Sequence, residues 1–137
     1  MQSFSQVPLA VFKKAIWGPV YWNFLHTMSM RYPNEPTSED AVAMLQFFSI
    51  LPQLIPCISC RAHAATFFNK YAGDLETVVS SRYNLFFFFW AFHNAVNQRL
   101  NKSHMSLEEA ISLYVTPESP LQYPKIEKNG VLTRRPQ

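Results

Sequence analysis

The sequence predicts an all-α fold that ends in an extended or disordered C-terminal tail. Between residues 13 and 115, apolar side chains recur mostly at intervals of three and four, the period of a helix that buries one face. Nothing in the chain alternates convincingly between apolar and polar residues, as a half-buried strand does. With 48% apolar residues among 137, the chain can build one compact domain.

Two helices are expected before the cysteines. The first begins at Lys13 and ends before Pro33, and its apolar stripe consists of Ile16, Trp17, Val20, Tyr21, Phe24, Leu25, Met28 and Tyr32. The second begins in the segment Thr37-Ser38-Glu39-Asp40, because a hydroxyl followed by acids is typical of a helix start. Pro52 and Pro56 bring it to a close.

Three further helices are expected after the second. One runs from about Cys57 to Tyr71 and stops at Gly73. The next is a single long segment from Asp74 to Lys102, and it should be buried on most sides because residues 85–92 are apolar all round. A short last helix begins at the capping-box pattern of Ser106 and Glu109 and ends near residue 115.

The domain organisation predicted from these patterns is simple. Residues 1–12 form an N-terminal arm, residues 13–116 form the core domain, and residues 117–137 form a Pro-containing basic tail. The tail is broken by Pro117, Pro120, Pro124 and Pro136, which no continuous helix accepts.

Charge and hydropathy exclude several classes of partner. The net charge is +3, and no basic run is interleaved with aromatic residues, so we expect no nucleic-acid partner. The longest apolar run is far short of the roughly 20 residues that a membrane span requires, and the first fifteen residues lack the apolar core of a signal peptide. We therefore expect a cytoplasmic protein without a membrane span.

The two cysteines of the chain lie in one motif, Cys57-Ile58-Ser59-Cys60. Pro56 and the helical residues after it place both thiols in a first helical turn, where the macrodipole stabilises a thiolate. Arg61 and His63 add positive charge. This arrangement favours thiol–disulfide chemistry, although a thioredoxin-like enzyme is excluded because that fold needs a strand before the motif.

Two other interpretations of the cysteines remain open from spacing alone. Zinc could be held by Cys57, Cys60 and His63, with His93 or His104 as a fourth ligand. The thiols could also be an inert buried pair.

A second group of polar residues lies on the Phe-rich helix. His93 and Asn97 are four residues apart on one helical face, Asn94 is beside them, and Lys102 follows. On the first helix, Trp22 and His26 also share a face. Each group by itself is also compatible with an ordinary core.

Taken together, the motifs resemble the Erv/ALR family of FAD-linked sulfhydryl oxidases. The matching segments, in order, are Trp17-Gly18-Pro19-x-x-Trp22-x-x-Leu25-His26-Thr27, Tyr32-Pro33, Pro56-Cys57-x-x-Cys60-x-x-His63 and His93-Asn94-x-Val96-Asn97-x-x-Leu100-x-Lys102. The resemblance covers roughly residues 17–115 and is greatest to the minimal forms of large DNA viruses that replicate in the cytoplasm. Many relatives have arginine after the glycine, where this chain has Pro19.

The resemblance implies a four-helix bundle with a short fifth helix, noncovalent FAD, no metal and a homodimer. It implies that FAD is contacted by Gly18, Trp22, His26, His93, Asn94, Asn97, Lys102 and Tyr114. Cys57 would exchange with substrate thiols while Cys60 faces the flavin, and oxygen would be reduced to hydrogen peroxide. The partners implied are thiol-containing proteins, including a thioredoxin-like dithiol carrier, in the host cytoplasm or the virion if the chain is viral. The alternative is a non-enzymatic, zinc-stabilised helical interaction module.

Overall fold

Six α-helices account for most of residues 13–114, which the computed structural model describes together with residues 125–126 and 132–133. The helices are α1 (Lys14–Arg31), α2 (Ser38–Ile50), α3 (Ile58–Lys70), α4 (Leu75–Val78), α5 (Arg82–Arg99) and α6 (Leu107–Tyr114). A 3-10 turn, Leu51–Leu54, follows α2 directly. The predicted all-α fold is confirmed.

The long helix predicted from Asp74 to Lys102 is wrong, because the chain breaks into α4 and α5 at Ser80 and Ser81. Ser81 is extended, with φ −161° and ψ 162°, and its side chain accepts a hydrogen bond from the backbone N–H of Asn84. The hydroxyl of Ser80 donates to the Thr77 carbonyl at 2.6 Å. Serine competes with helical hydrogen bonding in this way, so two adjacent serines interrupt the periodic apolar pattern.

Helix α5 supplies the centre of the core. Phe89 and Leu85 are completely buried, and Phe88 and Phe92 are nearly so. The rings of Phe88, Phe89 and Phe92 pack at centroid distances of 5.0–5.6 Å against aromatic residues of α2, of α3 and just after α3. These partners are Phe48, Phe67, Phe68 and Tyr71. The helix is buried on most sides, as predicted, and its exposed side carries Tyr83 and Phe87, which are 58% and 41% exposed.

Tyr32 connects the end of α1 to the α4–α5 junction. Its hydroxyl donates to the Val79 carbonyl at 2.8 Å, and its own carbonyl accepts from Arg82 Nε at 2.7 Å. Burial raises the pKa of the Tyr32 hydroxyl, and the negative charge of Asp40 adds to this effect. The Tyr-Pro segment therefore fixes how α1 meets α5.

Helix α5 ends in a Schellman motif. Asn101 adopts φ 54°, the N–H of Asn101 donates to the Gln98 carbonyl at 3.2 Å, and the N–H of Lys102 donates to the Asn97 carbonyl at 2.8 Å. Asparagine tolerates this left-handed conformation better than most residues. The motif turns the chain after α5 and places Lys102 next to the last turn of the helix.

The C-terminal segment contains strand pairing that the sequence does not indicate. Lys125–Ile126 (β1) pairs antiparallel with Leu132–Thr133 (β2). Two residues a strand are too few to produce a readable alternation. The predicted arm, residues 1–12, and the boundary near residue 116 lie outside the described residues, so the domain limits stay predictions.

Among the described helices, none is long and apolar enough to cross a membrane.

Candidate redox and ligand site

The two cysteines form a disulfide at the start of α3. Cys57 is the N-cap residue, and its Sγ accepts a hydrogen bond from the backbone N–H of Cys60 at 3.3 Å. The Cα atoms are 5.1 Å apart. Cys57 is partly exposed, whereas Cys60 is only 7% exposed. The structure thus brings the pair together in the first helical turn, where the sequence predicts it, and exposes Cys57 more than Cys60.

A cavity of about 610 Å³ lies beside Cys60. This volume falls within the range of small-molecule and cofactor pockets. Its wall is formed by α1, the turn after α2, the buried end of the CxxC motif, the second half of α5 and the segment after it. The residues of this wall that the sequence predicts as functional are Gly18, Trp22, Cys60, His93, Asn97 and Lys102.

Stacked rings form one wall of the cavity. The rings of Trp22 and His93 are almost parallel, with a centroid distance of 4.1 Å and an angle of 10°. The rings of Phe92 and Trp22 pack in a T-shaped arrangement, with their centroids 5.1 Å apart. Since Trp22 comes from α1 and His93 from α5, the packing of these two helices creates the aromatic wall.

His26 and Tyr114 lie behind this wall and do not line the cavity. His26 is completely buried, and its Nε2 is 3.1 Å from Nδ1 of His93. The ring of Tyr114 stacks on that of His26, with their centroids 4.6 Å apart. The Tyr114 hydroxyl donates a hydrogen bond to Asn23 Oδ1 at 3.0 Å. Both residues thus support His93 from the rear, whereas the family resemblance implies direct contact with a ligand.

Asn94 also lies outside the cavity wall, because its amide holds the loop after α5. Its Nδ2 donates to the Met105 carbonyl and its Oδ1 accepts from the Met105 N–H, both at 2.8 Å. Trp90 Nε1 donates to the same carbonyl at 2.9 Å. Met105 lines the cavity, so Asn94 shapes the cavity through the backbone.

The cavity combines positive charge with unused hydrogen-bond donors. Lys14, Arg99 and Lys102 line it, and no Asp or Glu is among the lining residues that the structure describes. Trp17 Nε1 and Arg99 Nε are buried and have no hydrogen-bond partner among the described residues. Buried donors without acceptors are unfavourable, so these atoms indicate a ligand that supplies acceptors. Aromatic faces, cations and free donors together fit a ligand with aromatic rings and negative charge, which is the chemical character of FAD.

Arg99 is a residue of the site that the sequence motifs do not single out. Phe92, Val96 and Arg99 fall at positions i, i+4 and i+7 of α5, and all three line the cavity. An apolar helical face that continues into an arginine is the sequence signal that could have identified it.

The zinc alternative finds no support. Within the described residues, no three His, Cys, Asp or Glu side chains lie together in a way that could hold a metal ion. The two sulfur atoms are bonded to each other, and His63 Nδ1 lies within hydrogen-bond distance of Ser59 O and Arg99.

Comparisons with known proteins agree with the geometry. The model of the Erv1/Alr family matches residues 19–114. The protein 096R of Invertebrate iridescent virus 3, whose name assigns it as an FAD-linked sulfhydryl oxidase, is 37% identical over 102 residues, which are 74% of this chain and 68% of that protein. The FAD-linked sulfhydryl oxidase of African swine fever virus (isolate Warthog/Namibia/Wart80/1980) is 33% identical over 98 residues, 72% of this chain and 79% of that protein.

Among solved structures, the crystal structure of the yeast Erv1 core superposes with a TM-score of 0.65 at 26% identity, and the match covers 72% of this chain and 80% of that one. The family match runs from Pro19, inside α1, to the end of α6, and it includes the cysteine pair and most of the cavity wall. The chain therefore belongs to the Erv1/Alr family.

Proposed function

We propose that this protein is an FAD-dependent thiol oxidase that forms disulfides in substrate or carrier proteins and passes the electrons to oxygen, which gives hydrogen peroxide. The observation that carries the proposal is the position of the disulfide, because Cys60 lines the aromatic, positively charged cavity while Cys57 is the more exposed member. Relatives named FAD-linked sulfhydryl oxidases support it.

Cys57 is the sulfur that substrate attacks. A substrate thiolate forms a bond to Cys57 Sγ, the Cys57–Cys60 bond breaks, and Cys60 leaves as a thiolate. The second substrate thiolate then attacks the substrate sulfur of this mixed disulfide, and Cys57 leaves as a thiolate. The substrate has lost two electrons to the cysteine pair. When bound, FAD supplies the two-electron chemistry that connects the reduced pair to oxygen.

The start of α3 stabilises the Cys57 thiolate. Its Sγ accepts from the Cys60 N–H and lies 3.2 Å from the Ser59 hydroxyl. N–H groups and the positive end of the helix dipole favour a negative sulfur, which makes Cys57 a better leaving group.

The first prediction concerns this asymmetry. Purified protein should be yellow and should consume oxygen with dithiothreitol, and both Cys57→Ser and Cys60→Ser should lose turnover. With a thioredoxin-like protein whose single remaining cysteine is activated as a mixed disulfide with thionitrobenzoate, the Cys57 thiolate of Cys60→Ser should displace thionitrobenzoate and accumulate a protein–protein mixed disulfide on non-reducing gels, since Cys57 remains accessible and no resolving cysteine is left. Cys57→Ser, which retains only the buried Cys60, should accumulate little mixed disulfide. Equal trapping by the two variants would contradict the assignment, and colourless wild-type protein would contradict the function.

For the cofactor, we propose contacts with the residues that line the cavity, namely Gly18, Trp22, His93, Asn97 and Lys102. Trp22 and His93 offer ring faces, Asn97 an amide and Lys102 a positive charge. His26, Asn94 and Tyr114 act indirectly, because they hold His93 and the Met105 backbone in place.

The second prediction uses Gly18, which lies inside α1 and lines the cavity. Apart from its chain neighbours and its own helical turn, a Cβ added there meets no atom within 4 Å. Gly18→Ala should change the free energy of unfolding of flavin-free protein by less than about 1 kcal/mol, because the gain in helix propensity is opposed by the clash between a Cβ and the ring of Pro19. It should also lower the flavin content of purified protein, since the methyl group takes space next to the ligand.

Urea denaturation and the ratio of flavin to protein absorbance measure the two effects. Gly73→Ala is the matched control, because a Cβ at Gly73 also meets nothing within 4 Å and Gly73 does not line the cavity. Unchanged flavin content in Gly18→Ala would show that this part of the cavity does not hold the cofactor.

For partners, we propose thiol-containing proteins and in particular a thioredoxin-like dithiol carrier. Both cysteines of the chain belong to the same pair, so no second pair relays electrons from bulky clients, and the partner has to reach Cys57 itself. Ile58 and Leu54, close to Cys57 in the chain, are 73% and 54% exposed and offer an apolar contact for the segment around a partner's cysteine. The viral relatives support a place in the host cytoplasm or the virion, which fractionation of infected cells would check.

The third prediction separates the partner contact from the chemistry. Ile58→Lys should oxidise dithiothreitol at close to the wild-type rate, because a small dithiol needs no apolar contact, but it should oxidise a reduced thioredoxin-like protein several-fold more slowly. Tyr83→Lys, the same change at an exposed aromatic residue on α5, is the control and should affect neither rate. Oxygen-electrode assays measure both, and equal slowing with both substrates would refute the docking role of Ile58.

We also propose a homodimer that buries the exposed apolar side chains of α1 and α2. On α1, Val20 and Phe24 are 49% and 56% exposed, and on α2, Val42 and Ile50 are 54% and 49% exposed. The rings of Phe24 and Phe47 pack edge to face across the two helices, with their centroids 6.2 Å apart. Exposed apolar residues on adjacent helices are typical of a protein interface.

The fourth prediction is that Phe24→Glu converts the dimer to a monomer in light scattering after size-exclusion chromatography, because burying a carboxylate in an apolar interface is unfavourable. Phe87→Glu, an equivalent change on α5, should leave the dimer intact. A monomeric wild-type protein would exclude the proposed dimer without affecting the oxidase assignment.

A further inference from the structure

We propose that His63 on α3 positions the guanidinium group of Arg99, and that Arg99 in turn binds the pyrophosphate of FAD. The proposal rests on the proposed function, because it assumes that FAD occupies the cavity. It adds Arg99 as a cofactor contact and His63 as the residue that positions Arg99, and it links the helix that carries the disulfide to the charge that holds the cofactor.

Arg99 is half-buried and lines the cavity. It lies on the cavity face of α5 with Phe92 and Val96. Its Nε is buried and has no hydrogen-bond partner among the described residues. A guanidinium group presents a planar fork of N–H donors that matches two phosphate oxygens, so an anionic ligand in the cavity supplies what Nε lacks.

The other charges of the site leave this role to Arg99. Lys14 and Lys102 line the cavity and are exposed, so each reaches the ligand as a solvated point charge. Arg61, on α3, already donates through Nε to the Ile55 carbonyl at 2.6 Å. Within the part of the chain that the structure describes, no carboxylate lines the cavity to neutralise Arg99. Arg99 is therefore the cation of this wall with a buried donor, Nε, that has no acceptor among the described residues.

His63 determines where the guanidinium group points. The Nδ1 atom of His63 lies 2.7 Å from Arg99 Nη1 and 2.6 Å from the Ser59 carbonyl oxygen. A guanidinium group only donates and a carbonyl only accepts, so the same nitrogen cannot bond to both at once. With its proton on Nε2, His63 accepts from Arg99; with a proton on Nδ1, it donates to Ser59 and releases Arg99. The neutral Nε2–H form is the one that holds Arg99 in position.

The position of His63 separates this role from a merely structural one. His63 is exposed, and it follows Cys60 by one helical turn on α3. Exposed polar pairs contribute little to folding stability. Substitution of His63 should therefore leave the fold intact, and an effect on the cofactor can be measured in folded protein.

Flavin competition tests the proposal. Holoenzyme is equilibrated with mixtures of FAD and riboflavin, which lacks both the pyrophosphate and the adenosine, and the bound flavins are identified after removal of free ligand. The ratio of the two affinities reports the contacts to this half of FAD, whereas loosening around the isoalloxazine weakens both flavins and leaves the ratio unchanged.

Arg99→Gln should lower the preference for FAD over riboflavin roughly tenfold or more, since a charge-assisted hydrogen bond is lost. Arg99→Lys keeps the positive charge but not the planar set of N–H donors, and it should lose less of the preference for FAD. It therefore remains measurable if Arg99→Gln binds flavin too weakly. His63→Ala should lower the preference by roughly two- to fivefold. His63→Gln should recover part of it, because the amide oxygen can accept from Arg99. Arg31→Gln removes an exposed cation that does not line the cavity and should have no effect.

The outcomes are distinguishable. An unchanged ratio in both Arg99 variants would overturn the pyrophosphate assignment, and an unchanged ratio in His63→Ala would overturn the positioning role. Equal losses for FAD and riboflavin would show that Arg99 only supports the cavity. Wild-type protein that binds neither flavin would refute the proposed function itself.

Discussion

The packing of α5 against α1 is the constraint on which the rest of the structure depends. The first half of α5 has to bury Leu85, Phe88 and Phe89, and this orients the helix about its own axis. Its second half must then present His93 to Trp22 of α1, where the two rings stack at 4.1 Å. Because a helix is rigid over this length, the same burial that stabilises the core also positions one wall of the cavity.

Behind that wall, polar side chains satisfy one another in a way that keeps the cavity open. His26 meets His93, Tyr114 stacks on His26 and donates to Asn23, and Asn94 makes two hydrogen bonds with the Met105 backbone. Buried polar groups that have partners rigidify a site, whereas unpaired ones destabilise it. The donors of Trp17 and Arg99 that have no partner among the described residues both belong to residues of the cavity wall, where a ligand can satisfy them.

The two ends of helices that meet at the site have complementary roles. The N-terminus of α3 holds Cys57 as its cap and exposes it, while Cys60, one turn further, lies against the cavity. The C-terminus of α5 ends in the Asn101 turn and brings Lys102 to the same cavity. A relay of electrons from a dithiol to a flavin requires this arrangement. It has one sulfur atom open to partners, a second one next to the ligand, and cations around the ligand.

The sequence by itself determined the helical fold, the place of the cysteine pair at a helix start and the motifs that identify the family, because periodicity, capping residues and motif spacing are local properties of the chain. It misjudged the region of Ser80 and Ser81, since a strong apolar pattern on both sides conceals a break that depends on side-chain hydrogen bonds. Only the tertiary structure decided which predicted site residues face the cavity and which stand behind it. His26 and Asn94 carry the family motif yet turn to His93 and Met105, while Arg99 lines the cavity without belonging to the predicted set. The physical reason is that the direction of a side chain depends on how helices distant in sequence pack together, and no local pattern contains that information.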